Sequence, residues 1–554
     1  MLLGTAVALA LSFWHKDSIL AFATPSGPQV DIINTGYARY QGNRTLPNAV
    51  AYLGIPYAEP PVGNLRFRAP LPLNTTRVVL ESAGKTIDAT EYPEFCIQGT
   101  TGGRDAGGAG SEDCLKVNIY APPDATKASK LPVLFYIHGG GYIYGNPRNW
   151  PFDHWVNQSP NVVIVSVYYR LSSFGFLSVP EMKDSQTGAL NAGFLDQIEA
   201  LRWVKRNIAS FGGDPNKVTI NGESAGGASV ELHLVAKEGE RLFSQAIAQS
   251  VYRTPLPTPE QQVPLFKYYA AKAGCANESV AESLSCLRNA PVEVLARAQD
   301  AASTPDFTGS GYAAFHPVID GNVITDYPTR LISQGKFARV PLIIGATTNE
   351  TLSGGSSVAV ALKRFFPSIT DDNLSELEEA YPIQSFASES LRFQTITGES
   401  ELKCANSILG SAFSKEGAKT WVYRYNQRNP TNPSPAVTHA AENWMMFLGT
   451  NTGFNGTTTF TDQSTLETDF SSELIAYWLS FVRTGDPNMR KLHKSPLWAP
   501  YGEGTRNRIV LQQAQVEGPR KKSGSFVEVE AVEEAERCRV VAGRWKHSRT
   551  KRCI

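Results

Sequence analysis

Residues 218–236 read VTINGESAGGASVELHLVA. The β-branched, apolar opening predicts a buried strand, and the stretch beyond Ala225 predicts a helix, so Ser224 falls on the turn between them. A nucleophilic serine on such a turn adopts a strained backbone. Gly222 and Gly226 flank it because side chains there would clash where strand and helix approach. The turn lifts the hydroxyl above the sheet and aims the Ala225 N–H, with the helix N-terminus behind it, at an incoming carbonyl oxygen. A glycine-rich turn alone would carry no chemistry. Set between a strand and a helix, this one makes Ser224 a candidate nucleophile.

The flanking sequence extends the pattern. The runs LPVLFYIHGGG (131–141), NVVIVSVYYR (161–170), VPLIIGATT (340–348) and WVYRYN (421–426) predict buried strands that end in loops. Between the second strand and the serine strand, Phe194, Ile198, Leu201, Trp203, Val204 and Ile208 follow helical spacing until Gly212-Gly213 stops it. Alternation of this kind predicts an α/β fold, a large and mostly parallel central sheet with helices on both faces. Residues 24–540 carry no long low-complexity linker and read as one domain.

A tetrahedral oxyanion needs several donors. HGGGY (138–142) closes a predicted strand, and its consecutive glycines let backbone N–H groups face such an oxygen. A serine also needs a base, and the base an orienting acid, in the chain order Ser, Asp or Glu, His. Glu350 follows the strand VPLIIGATTN. His439 sits among small residues in AVTHAAENW after the strand WVYRYN, whereas His493 lies in a late polar loop and His547 in the basic tail. Glu350 and His439 are therefore the candidate acid and base, and this chemistry needs no cofactor and no metal.

Composition bounds the partners. Lys plus Arg and Asp plus Glu both number 52, so no polybasic field favours nucleic acid or an anionic membrane. MLLGTAVALALSFW opens the chain, and AFA at 21–23 offers small residues for cleavage, so residues 1–23 read as a signal peptide. The competing reading, an uncleaved apolar anchor, meets a run short for a membrane span. No other such run follows, so stable membrane insertion is not expected. Seven cysteines and the sequons at Asn43, Asn74, Asn277, Asn373 and Asn455 agree with secretion. No cysteine or histidine spacing of zinc type occurs. Oligomeric state is open.

Taken together, the motifs YLGIPYAEPPVGNLRF (52–67), SEDCLKVNIY (111–120), HGGGY, FGGDPNKVTINGESAGG (211–227), FHPVIDG (315–321) and LSFVRTGDPN (479–488) resemble the type-B carboxylesterases. That group of α/β-hydrolases includes cholinesterases and some fungal lipases, and the likeness runs from about residue 29 to 540. It points to a secreted carboxylesterase of the fungal type acting on a small-molecule ester. It implies Ser224 as nucleophile, Glu350 as acid, His439 as base, and an oxyanion hole from the N–H groups of Gly140, Gly141 and Ala225. It also implies disulfides Cys96–Cys114 and Cys275–Cys286, and a C-terminal partner for Cys404, with Cys538 fitting better than Cys553. The chain departs from the family at Tyr168-Tyr169-Arg170 and Gln249-Ser250-Val251, where Asn-Tyr-Arg and Gln-Ser-Gly are common. Residues 541–554 match nothing in the family and read as a basic tail, free to be disordered.

Residues 97–113 hold one isoleucine, no aromatic residue and six glycines. So short and polar a loop predicts an esterase without a lid, acting on short to medium acyl chains. The loop also lacks the aromatic face that a choline group would need. The rival readings are an interfacial triacylglycerol lipase, with residues 353–367 as an alternative cover, and a non-catalytic binding or adhesion protein on the same fold.

Overall fold

A computed structural model describes residues 31–100, 108–237, 240–253, 255–303, 307, 312, 314–453, 455–515 and 522–543. The proposed signal peptide, Cys553 and residues 544–554 lie outside them, as do residues 101–107 of the polar loop.

Eleven strands form the main sheet. Its centre is parallel, in the order Val163–Val167, Leu131–Ile137, Gly213–Glu223, Gln245–Gln249, Leu342–Thr347, Thr420–Tyr425 and Asn507–Leu511. Antiparallel strands flank it: Phe526–Val529 on one side, and Lys116–Ala121, Ala49–Pro56 and Asn43–Leu46 on the other. The five strands expected from apolar runs are all present. Of the flanking strands, Asn43–Leu46 and Phe526–Val529 are short and largely exposed, whereas Ala49–Pro56 is eight residues long and mostly buried.

The parallel strands alternate between two cores, as the pleat requires. Val133, Phe135 and Ile137 enter one apolar cluster, while Leu134 and Tyr136 enter another on the opposite face. Helices cover both. The helix Ala192–Asn207 buries Phe194, Ile198, Leu201, Trp203 and Val204, and Gly212 stops its 3-10 extension in the left-handed conformation. The helix Thr465–Thr484 buries Phe470, Leu474, Tyr477, Trp478 and Phe481 on the other face. The strand bearing the serine begins at Gly213, earlier than residue 218, with a register irregularity against its neighbour.

A third cluster unites the helices Val358–Phe365, Asp371–Ala380, Glu389–Gly398 and Val532–Gly543. The last helix runs through Val541, which packs in this cluster, so the segment read as a tail begins later than residue 541. Disulfides join Cys96 to Cys114, Cys275 to Cys286 and Cys404 to Cys538. No helix among the described residues is long and apolar enough to cross a membrane.

Candidate active site

Ser224 stands between the strand Gly213–Glu223 and the helix Ala225–Val235 with φ 58° and ψ −120°. This is a costly conformation for a residue with a Cβ, and strain of this kind collects at functional sites. The surroundings hold it in place. Its N–H donates to the Gln249 carbonyl at 3.0 Å, and its carbonyl accepts from the Tyr252 N–H at 3.2 Å. A Cβ on Gly226 would overlap the Ile137 carbonyl oxygen, so only glycine permits this approach of helix to sheet.

The Ser224 hydroxyl lies 2.9 Å from His439 Nε2, and His439 Nδ1–H lies 2.7 Å from Glu350 Oε2. Glu350 follows the strand Leu342–Thr347, and His439 precedes the helix Ala441–Met446. Neighbouring Asn349 ties their two loops together. Its N–H donates to the Val437 carbonyl at 3.1 Å, and its Oδ1 accepts from the Val437 N–H at 3.0 Å. The three candidates, 89 and 215 residues apart in sequence, thus form one continuous hydrogen-bonded chain.

Glycines shape the HGGGY loop beside them. Gly140 has φ 103°, and a Cβ there would overlap the Tyr144 carbonyl oxygen. The Gly139 carbonyl faces His138 Nδ1 at 2.8 Å, and the Gly140 carbonyl accepts from the N–H groups of Ile143 and Tyr144 at 3.0 and 3.1 Å. The carbonyls are occupied away from the cleft. The N–H groups of Gly140, Gly141 and Ala225 meet no protein acceptor among the described residues. Gly140, Gly141, Ser224 and His439 line one cleft of about 820 Å³. Leu352, Ser353, Val360, Ala361, Arg364 and Phe365 line it as well.

Charge is concentrated behind the imidazole. Glu223 Oε1 lies 3.4 Å from His439 Nε2, and Glu223 Oε2 accepts from Asn443 Nδ2 at 2.9 Å. Burial raises the Glu223 pKa to about 7 and the Glu442 pKa to about 8, the charge of Glu223 adding to the second. Burial would also raise Glu350. There the His439 charge and hydrogen bonds from His439, Ser250 and the Thr347 N–H outweigh it and hold the pKa below the usual carboxylate value. Burial disfavours the His439 cation, but Glu350 and Glu223 outweigh that and raise its pKa. Three buried carboxylates this close resist ionising together, which is why Glu223 and Glu442 hold their protons to higher pH than a free carboxylate while Glu350 does not.

Glu223, Ser250, Glu442 and Asn443 were not singled out as site residues in the sequence. Two signals pointed there: Glu223 occupies the variable position of G-E-S-A-G, and Glu442 comes three residues after His439. Of the two departures, Val251 is fully buried apolar packing, and the Tyr168 hydroxyl accepts from Asn118 Nδ2 at 3.2 Å. Among the described residues, the one close group of possible metal ligands is Glu399, Cys404 and Cys538. Its two sulfurs are spent on a disulfide.

The carboxylesterase family model matches residues 29–527. Mouse carboxylesterase 1F is 31% identical over 533 residues, covering 86% of this chain and 89% of the mouse protein. Rat liver carboxylesterase B-1 is 31% identical over 525 residues, with the same coverage of 86% and 89%. The crystal structure of Aspergillus niger EstA superimposes with a TM-score of 0.78 at 30% identity, covering 93% of this chain and 98% of EstA. The matched span carries both the strand ahead of Ser224 and the loop of His439, and by it the chain belongs to the carboxylesterase family and is a carboxylic ester hydrolase.

Proposed function

We propose that the chain hydrolyses carboxylic esters of short to medium acyl length through an acyl-serine intermediate on Ser224. The observation that carries this reading is the hydrogen-bonded sequence Ser224–His439–Glu350 opening into the cleft. His439 Nε2 takes the hydroxyl proton as Ser224 Oγ attacks the ester carbonyl, while Glu350 fixes the imidazole through Nδ1. The N–H groups of Gly140, Gly141 and Ala225 receive the oxyanion. His439 returns the proton to the leaving alcohol. Water then attacks the acyl-serine by the same route and frees the acid.

The short to medium acyl length is read from the polar composition of residues 97–113. Gln98 exchanges hydrogen bonds with Gly145 at 2.6 and 3.1 Å, and the Gly99 N–H donates to the Ile143 carbonyl at 2.7 Å. These bonds fasten the first residues of the loop, Gln98 and Gly99, to the segment that follows HGGGY. A secretory route, with residues 1–23 as its signal, is supported by the three disulfides.

The test is Ser224→Ala in folded protein, assayed on esters of graded acyl length. We expect kcat to fall by at least about 10³-fold, with a small residue from oxyanion donors and binding. Wild-type turnover by the folded variant would remove Ser224 from the chemistry.

A further inference from the structure

We propose that Glu401 is a positioning residue for the candidate acid: its buried carboxylate clamps Leu352 and Ser353 and so fixes the backbone of Glu350 against the imidazole. The inference rests on the reading of Glu350 as the partner of His439.

Glu401 lies in a widened π turn, Glu399–Lys403, between the helices Glu389–Gly398 and Cys404–Lys415. Turns of this kind are uncommon and collect at functional sites. The Glu401 side chain is fully buried. Its Oε2 accepts from the Leu352 N–H at 2.7 Å and from the Ser353 N–H at 3.2 Å, and its Oε1 accepts from the Ser353 hydroxyl. Burying a carboxylate is costly unless hydrogen bonds answer it. Here all three donors belong to one short segment, two and three residues beyond Glu350.

That segment needs the clamp. Between the strand Leu342–Thr347 and the helix Val358–Phe365 the chain joins no helix or sheet, so the Leu352 and Ser353 amides have no ladder to enter. Glu350 stands between two anchors. Asn349 ties its near side to Val437, and Glu401 ties its far side to the π turn. The hydroxyls of Thr351 and Thr397 meet at 2.8 Å, and a Cβ on Gly398 would overlap the Glu350 carbonyl oxygen, so the end of the preceding helix lies directly against the acid. The same turn reaches the nucleophile. The Glu401 carbonyl accepts from the Arg253 N–H at 3.0 Å, and the Ser400 carbonyl accepts from the Arg253 guanidinium at 2.8 Å. The adjacent Tyr252 N–H holds the Ser224 carbonyl. Glu401 does not itself line the cleft. It acts through Glu350, and a misplacement of about 1 Å there can cost about 10²-fold in rate.

The experiment is a double-mutant cycle on the full chain, read as kcat in folded protein. Glu401→Leu removes the acceptor at similar volume. Glu401→Gln keeps an oxygen for the two N–H groups and offers its amide to the Ser353 hydroxyl. Each is made alone and together with Glu350→Gln. We expect Glu401→Leu to lose about 10- to 100-fold in kcat on its own and less than about twofold when Glu350→Gln is already present. Glu401→Gln should retain most of kcat. A Leu variant with wild-type kcat overturns the proposal. Equal losses in the two backgrounds assign Glu401 to packing and overturn it too, as does a Gln variant as slow as the Leu variant. If Glu401→Leu does not fold, Ser353→Ala, which removes one of the three bonds, carries the same cycle. Its expected loss is about two- to fivefold, confined to the background with Glu350 intact, and no loss there overturns the proposal. Wild-type kcat in Glu350→Gln alone would instead remove the reading of Glu350 as the acid, and this inference falls with it.

Discussion

Ser250 donates its hydroxyl to Glu350 Oε1 at 2.6 Å, the carboxylate oxygen opposite the one that accepts from His439. The Thr347 N–H reaches the same Oε1 at 3.0 Å. Glu350 is therefore held on both oxygens, and its plane is set before it meets the imidazole. Ser250 itself has φ 43°, a strained conformation at the end of the strand Gln245–Gln249.

Ser250→Ala should lower kcat by about tenfold, the equivalent of about 1.4 kcal/mol in the barrier, because one hydrogen bond to the charged carboxylate is lost. KM should change little, since Ser250 does not line the cleft. Steady-state kinetics at a pH where His439 is neutral will decide it. An unchanged kcat would show that the Thr347 N–H alone orients the acid.

Glu223→Gln should move the acid limb of kcat/KM to lower pH by about one unit. The sign follows from the contacts. The Glu223 anion lies 3.4 Å from His439 Nε2 and helps to raise the His439 pKa, while activity needs His439 neutral. Removing the anion makes the imidazolium easier to deprotonate. A limb that stays in place, or moves to higher pH, contradicts this account of the charge cluster.

Asn349 begins an N-E-T sequon. It should nevertheless carry no glycan, because its Oδ1 and N–H both hold Val437, two residues before His439. The exposed sequon residues Asn43, Asn74 and Asn277 are the accessible alternatives. Glycopeptide mapping of protein from a eukaryotic secretory host provides the check. Full occupancy at Asn349 would mean that the His439 loop is not held as described.

Turnover should rise smoothly with substrate concentration and show no jump where a long-chain ester passes its solubility limit. Beside the cleft, Gln98 and Gly99 are bonded to Gly145 and Ile143. The helix Val358–Phe365 also lines the cleft, with Val360 68% exposed, as does Leu352, 42% exposed. Of residues 353–367, named from the sequence as an alternative cover, Ser353, Gly354, Val360, Ala361, Arg364, Phe365 and Pro367 line the cleft. A sharp rate increase on emulsified triglyceride would identify that helix as an interfacial lid.

The local readings succeeded where one chain segment holds all the determinants. The turn at Ser224 is written in its two flanking glycines, in the β-branched residues before it and in the small residues after it. Five of the seven parallel strands announce themselves as apolar runs because both faces are covered, whereas Gln245–Gln249 and Asn507–Leu511, short and with polar ends, do not. The antiparallel flanks were less legible. The strand Asn43–Leu46, for example, is largely exposed and exists through pairing with Ala49–Pro56. The helix Val532–Gly543 likewise continues through Val541 because that residue packs against a cluster assembled from distant helices.

What the sequence determined by itself is the type of chemistry: a serine raised on a strand-to-helix turn, a glycine loop able to face an anion, and an acid and a histidine in workable order. Residue type and short-range spacing suffice for that. Tertiary structure alone decided the electrostatics. Their places beside Ser224 and His439 mark Glu223 and Glu442 only as neighbours in sequence, and nothing along the chain marks Ser250 as a partner of Glu350. Their importance arises because folding removes them from water and brings them within a few ångströms of Glu350, His439 and one another. Burial strengthens each charge and hydrogen bond, and no reading along the chain supplies that distance or that dielectric.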